Sequence, residues 1–233
     1  VIAWLDARTP FPPLSAALVE PNGLLAAGGD LSVTRLVSAY RRGIFPWFSA
    51  GQPILWWSPD PRMVLHVADF RVSRSLHKRV RAEDFEIRVD TAFGQVIAAC
   101  ARTPRAGQGG TWITPAMVEA YGRLHHAGYA HSVESWREGR LVGGLYGVAL
   151  GRVFFGESMF AHEDDASKVA LVALVALLQR IDVPLIDCQQ ETAHLARFGA
   201  RPIARSAFAA RLADLIHSDE PPAGWRSSSA AAG

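Results

Sequence analysis

The sequence predicts an α+β fold: a mixed sheet with helices on its faces, preceded by a small N-terminal α+β domain. Three patterns predict it. Residues 130–159 read as three consecutive strands joined by tight turns, an antiparallel meander. Residues 153–189 read as strand, helix, strand, which fits two parallel strands with a crossover helix. Residues 1–62 are dense in Pro, Gly and Trp, and the turn Ser58-Pro59-Asp60-Pro61 marks the best boundary in the chain, giving domains 1–62 and 63–233.

In the first domain, Ser32 is a suitable N-cap for a helix from Val33 to Arg42, with Gly43 as its stop. Five aromatics follow from Phe45 to Trp57. Such residues are usually core, but some could form a stacking platform for a base. Arg62 to Leu65 reads as a strand. Next comes a basic helix in which Arg74, Lys78 and Arg81 share a face at i, i+4, i+7. That face is either solvated or a contact to a phosphate backbone, and Arg102 and Arg105 could extend it. A helix from Ala92 to Ala101 leads into a Gly-rich loop at 103–110, after which Trp112 is expected to be exposed. A helix from Pro115 to Ala127 stops at Gly128. The strands Ala130–Trp136, Arg140–Leu150 and Val153–Met159 make the meander. The helix Ala166–Arg180 is apolar on nearly every side, so it should be buried. A strand at 183–189, a short strand at 201–204 and a helix at 206–216 precede a loose tail from about 221.

Composition bounds the function. With 49% hydrophobic and 20% charged residues the chain is ordinary and globular, and a net charge of +2 confines any nucleic-acid role to a local patch. Cys100 and Cys188 sit far apart in apolar contexts and read as thiols of a reducing compartment, with no metal spacing. No run reaches the roughly 18 apolar residues needed to span a membrane, and no signal peptide is visible. The expectation is a cytoplasmic, monomeric protein with no membrane partner, metal or cofactor.

Glu157 and Asp187 are carboxylates in runs that otherwise read as core. A buried carboxylate is costly unless paired or hydrogen-bonded. Strand C-termini are where parallel sheets bind ligands, so Glu157, Asp187 and Gln189 are expected to face one site. A compatible alternative makes Asp187 the N-cap of a capping box with Gln190, starting a helix that runs to about Phe198 and stops at Gly199. Cys188 should point to the opposite face from Asp187 and Gln189.

The element order resembles the GNAT acyltransferase fold, and the resemblance implies a splayed sheet in which two central strands part. A closer resemblance rests on residues 20–30 (EPNGLLAAGGD), 43–48 (GIFPWF), 54–62 (ILWWSPDPR), 110–114 (GTWIT), 141–144 (LVGG), 156–160 (GESMF), 166–168 (ASK) and 185–189 (LIDCQ). Over residues 20–200 the chain resembles the leucyl/phenylalanyl-tRNA–protein transferases. The resemblance implies transfer of Leu, Phe or Met from aminoacyl-tRNA to the α-amine of proteins beginning with Arg or Lys, which marks them for degradation by the N-end rule. It implies Asp187 and Gln189 at the reacting amine, Glu157 in the same cleft, and Trp47 and Trp112 around the 3′-terminal aminoacyl-adenosine. Thr192 stands where the family often has Asn, and Leu174 where an aromatic can occur.

The resemblance also places the transferred side chain in a hydrophobic pocket, for which Leu145, Met159, Leu171, Leu174 and Ile186 are the candidate walls. An aminoacyl ester is already activated, so positioning plus one proton acceptor suffices. Gln189 can accept from the amine through its carbonyl oxygen while Asp187 holds its NH₂. Two rivals compete. An acetyl-CoA-dependent N-acetyltransferase needs a Gly-rich pyrophosphate loop, whereas this chain has Glu163, Asp164 and Asp165 before the crossover helix. A non-catalytic RNA-binding module suits the basic helix but leaves the Glu157, Asp187 and Gln189 cluster unexplained.

Overall fold

Two sheets carry the chain, and the switch between them falls at the proline-rich turn before Arg62. The computed structural model describes residues 2–103, 111–221 and 223–225. Arg105, most of the Gly-rich loop and the tail beyond 225 lie outside them. The first sheet has the order β1 (Ala3–Leu5), β2 (Leu24–Gly28), β4 (Leu55–Trp57), β3 (Phe45–Pro46). Helix α1 (Val33–Arg41) stands between β2 and β3. Its N-cap is Ser32, whose hydroxyl accepts the Arg35 N–H.

The second sheet has seven strands, β5 (Arg62–His66), β6 (Glu86–Val89), β7 (Ala130–Arg137), β8 (Arg140–Leu150), β9 (Val153–Ala161), β10 (Leu185–Gln189) and β11 (Arg201–Ile203). Their spatial order is β11-β5-β10-β9-β8-β7-β6. The meander β7-β8-β9 is antiparallel, and β9 and β10 are parallel, so the sheet is mixed as expected. Helices α2 (Arg74–Arg81), α3 (Phe93–Arg102), α4 (Pro115–His126), α5 (Ala166–Arg180), the single turn α6 (Ala193–Ala196) and α7 (Arg205–Leu215) complete the fold.

Side-chain alternation divides the core. Tyr146, Val148 and Leu150 of β8, Val153 and Phe155 of β9 and Leu185 of β10 share one core with α1, α3 and α4. Leu145, Ala149, Phe154 and Ile186 point the other way into a second core with α5. Each fully buried Leu or Val of α5 contributes about 1.5–3 kcal/mol, which is how a helix with so little polar surface is held. Its first turn sits directly on β8. A Cβ on Gly143 would come within 2.5 Å of the Ala166 Cβ, so only glycine admits that approach.

Three local expectations change. No helix begins at Asp187. Its carboxylate is engaged by Arg62, and the chain turns helical only after Thr192, whose hydroxyl accepts the Leu195 N–H at 3.2 Å. The capping box and the helix to Phe198 are therefore replaced by one turn. Gly199 serves another purpose: it has φ 98, and a Cβ there would lie 2.3 Å from the Asp69 carbonyl oxygen. Trp112 is buried at 9% exposure, because it packs into the first core beside Ile113. Strand β6, which pairs with β7, was not expected.

Candidate active site

The parallel pair β9–β10 lasts only three residues, from Val153 opposite Leu185 to Phe155 opposite Asp187. Beyond it β9 runs on with β8 alone, while β10 breaks register against β5 between Asp187 and Gln189. The two central strands thus part just after Asp187, and a cavity of about 570 Å³ opens where they part.

The lining of this cavity brings together residues far apart in sequence. Leu145, Met159, Leu171, Leu174 and Ile186 form apolar walls, and Glu157, Asp187 and Gln189 lie on the same lining. Trp47 and Trp112 border it from two other parts of the chain, and exposed Thr192 sits at its edge. Of the five aromatics from Phe45 to Trp57, Phe45, Phe48, Trp56 and Trp57 are buried and Trp47 is half-buried; Phe45 and Trp47 line the cavity. Trp57 Nε1 donates to the Trp47 carbonyl oxygen at 2.7 Å, and the two rings meet edge to face. Arg74, Lys78 and Arg81 are not on this lining. They are exposed on α2, with no ion pair among the described residues. Their neighbour Arg79 pairs with Asp84 instead.

Asp187 differs from expectation in what it holds. It is fully buried, and Arg62 grips it with two bonds, Nε to Oδ1 at 2.8 Å and Nη2 to Oδ2 at 2.6 Å. Arg62 is itself buried, donates to the Gly43 carbonyl oxygen at 3.0 Å and lies over the rings of Phe45 and Phe208. Such a pair survives burial because both ions are hydrogen-bonded. The expectation that Asp187 holds the Gln189 NH₂ is not met, since that amide group bonds to Glu157 instead. Asp187 accepts the Gln189 backbone N–H at 2.9 Å. That bond closes a tight turn at the register break, where Gln189 takes φ 62 in the left-handed region. Cys188 packs against the second core, yet it lines the same cavity as Asp187 and Gln189, so the expected separation of faces does not keep it out of the site.

Turned this way, Gln189 Nε2 donates to Glu157 Oε1 at 2.8 Å. An ionised Glu157 can only accept, so in that state the amide nitrogen faces it. The amide oxygen then has no protein partner among the described residues. Glu157 also receives the phenol of Tyr40 on Oε1 at 2.7 Å and that of Tyr121 on Oε2 at 3.1 Å. The Glu157 carboxyl is pushed up to about 7 overall: burial raises it, the three donors pull it down, and the nearby Asp187 charge adds to the rise. Burial, and then the Glu157 charge, hold both phenols well above the usual tyrosine range.

Arg62, Tyr40 and Tyr121 are the site residues that sequence reasoning missed. Tyr40 and Tyr121 look like core aromatics on helix faces, and Arg62 looks like the first residue of a strand. The one available signal was arithmetic: a buried Asp187 requires a buried cation, and few lie in apolar runs.

Similarity to known proteins decides the family. A family model described as leucyl/phenylalanyl-tRNA protein transferase matches residues 64–213, and one described as the N-terminal domain of that transferase matches residues 29–60. The leucyl/phenylalanyl-tRNA–protein transferase of Thiobacillus denitrificans is 63% identical over 92% of this chain and 94% of its own. The chain belongs to the leucyl/phenylalanyl-tRNA–protein transferase family. A second member, from Aromatoleum aromaticum, is 58% identical over 99% of this chain and 97% of its own. Among solved structures, a GCN5-related N-acetyltransferase from Kribbella flavida aligns with 72% of this chain and 59% of its own, at 13% identity and a TM-score of 0.35. As a member of this family of aminoacyltransferases the chain is an enzyme. No helix among its described residues is long and apolar enough to cross a membrane.

Proposed function

We propose that this enzyme moves Leu, Phe or Met from aminoacyl-tRNA to the α-amine of proteins that begin with Arg or Lys, marking them for N-end rule degradation. The observation that carries the reading is the Gln189–Glu157 pair beside an apolar cavity: an amide oxygen with no protein partner among the described residues, fixed by a carboxyl whose pKa is raised to about 7.

The transferred side chain enters the walls formed by Leu145, Met159, Leu171, Leu174 and Ile186. Trp47 and Trp112 hold the terminal adenosine, and Arg74, Lys78 and Arg81 contact the tRNA backbone. The acceptor amine has a reference pKa of about 7.7–8.0, so a useful fraction is neutral near pH 7. Its nitrogen attacks the ester carbonyl carbon, the new C–N bond forms, and the C–O bond to the terminal ribose breaks. The proton lost by the amine ends on the departing ribose hydroxyl. Gln189 accepts a hydrogen bond from the amine and orients it without taking the proton. Glu157, near 7, is matched to holding a proton in transit. Asp187 acts from behind, since with Arg62 it sets the turn that aims Gln189.

Acetyl-CoA suits the chain poorly. Glu163, Asp164 and Asp165 occupy the approach to α5, where a pyrophosphate would need free N–H groups. The test mixes the enzyme with Leu-tRNA and an Arg-initiated peptide and looks for a mass gain of one leucine. Gln189→Ala should reduce turnover by roughly 10²-fold or more with tRNA affinity unchanged. No mass gain with the unmodified enzyme would refute the reading.

A further inference from the structure

The transfer step uses one edge of Glu157. The other contacts of that carboxyl form a closed ring. Oε1 meets the Tyr40 hydroxyl, the Tyr40 hydroxyl meets the Tyr121 hydroxyl, and the Tyr121 hydroxyl meets Oε2. The members come from three distant places, α1, α4 and β9, and all are buried. Packing alone needs only the two aromatic rings. Phenylalanine at both positions would fill the same space, so the hydroxyls call for a reason of their own.

Counting protons supplies it. A neutral Glu157 brings a third proton, so each of the three contacts can hold one. An ionised Glu157 leaves two protons for the three contacts, so one contact of the ring is then without a proton while at least one phenol still donates to the carboxylate. The ring therefore has two states that differ by one proton, with the carboxyl held in place in both. We propose that Tyr40 and Tyr121 are positioning residues for the transfer reaction, fixing Glu157 so that it grips the Gln189 amide nitrogen and keeps the amide oxygen toward the acceptor amine. The inference rests on the reaction proposed above. It also gives the N-terminal segment a part in that reaction, because Tyr40 lies on α1.

The ionised state is the working one. A carboxylate strengthens the bond from Gln189 Nε2 and polarises the amide, so turnover rises as Glu157 loses its proton. The groups that face this centre are Tyr40 on α1, Tyr121 on α4, Tyr146 on β8 against Tyr121, Gln189 and Asp187 on β10, and Arg62 on β5 paired to Asp187. The phenols favour the carboxylate, opposing the effect of burial. Removing either one raises the pH at which Glu157 ionises.

The experiment compares Tyr40→Phe and Tyr121→Phe with the unmodified enzyme at saturating Leu-tRNA and Arg-initiated peptide. The rise of kcat with pH should move upward by about one pH unit, the scale of one hydrogen bond to a charged group. KM for Leu-tRNA should stay unchanged. Glu157→Gln should lose this rise and keep only that of the acceptor amine. A ¹³C NMR titration of the glutamate side-chain carboxyls, with the Glu157 signal identified by its loss in Glu157→Gln, should show the same displacement without turnover. Transfer by the unmodified enzyme with an unmoved pH profile in both tyrosine variants overturns the positioning role alone, even if the NMR titration moves. Absence of transfer by the unmodified enzyme overturns the reaction and the positioning role together, while the titration still decides whether the ring tunes Glu157.

Discussion

Two buried carboxylates lie close together in this protein, and their surroundings set them apart. Asp187 has a guanidinium across two bonds, whereas Glu157 has only neutral donors. The consequence for Glu157 can be measured as stability. Its carboxyl is raised from 4.5 to about 7, so in that window the folded protein holds a proton that the unfolded chain releases. Stability contributed by the neutral carboxyl is complete below pH 4.5 and is lost as pH rises through 7. Glu157→Gln cannot ionise. It should match the unmodified protein near pH 4 and exceed it by up to roughly 3 kcal/mol at pH 8, as read from urea denaturation at both pH values. Equal offsets at the two pH values would mean that folding leaves the Glu157 carboxyl unshifted. For Asp187 the expectation differs. Asp187→Ala strands Arg62 and should cost about 3–5 kcal/mol, while the double variant Arg62→Met/Asp187→Leu should recover most of that loss. Denaturant midpoints of the single and double variants check it.

At the scale of elements, α2 and α5 make opposite use of helical geometry. Helix α5 buries residues on several sides and supplies Leu171 and Leu174 to the cavity. Helix α2 buries only Leu76 and presents Arg74, Lys78 and Arg81 outward. Exposed cations add little to folding stability, so removing one should leave the melting temperature nearly unchanged. If the face contacts the tRNA backbone, each Ala substitution should lower the slope of log affinity against log salt by somewhat less than one. Filter binding between about 50 and 200 mM salt, across which log affinity falls linearly with log salt, provides the measurement. Slopes identical to that of the unmodified enzyme in all three variants would leave α2 as a solvated face.

Across the whole molecule, the parting of β9 from β10 creates a cavity whose walls come from β8, β9, α5 and β10, with Trp47 reaching in from the N-terminal sheet. Its apolar walls carry unbranched or γ-branched side chains for the most part, including the adaptable Met159. Side chains that are slender near Cβ should fit: Leu, Met and Phe. The extra methyl of Ile or Val would press on the neck, and overpacking costs about 1–3 kcal/mol, or roughly 5- to 150-fold in rate. Competition among Leu-, Phe-, Met-, Ile- and Val-tRNA for one Arg-initiated peptide measures this directly. Equal transfer of Ile and Leu would remove the cavity neck as the source of selectivity.

The features legible in the sequence were those carried by neighbours along the chain. The meander, the crossover and the buried character of α5 follow from alternation, turn residues and unbroken apolarity, all local signals. Glu157 and Asp187 were conspicuous as carboxylates among apolar residues, and their burial is real. Strand β6 escaped notice because its four residues alternate charged and apolar too briefly to be distinguished from a loop. Partner identity was beyond any local pattern. Arg62 and Asp187 are 125 positions apart, and Tyr40 and Glu157 are 117 apart. Burial decides such pairings: once both groups leave water, each must find whatever complementary group the packed sheets and helices bring within reach. That is why Asp187 became a strut for Gln189's turn instead of a helix cap, and why Gln189 came to rest on Glu157.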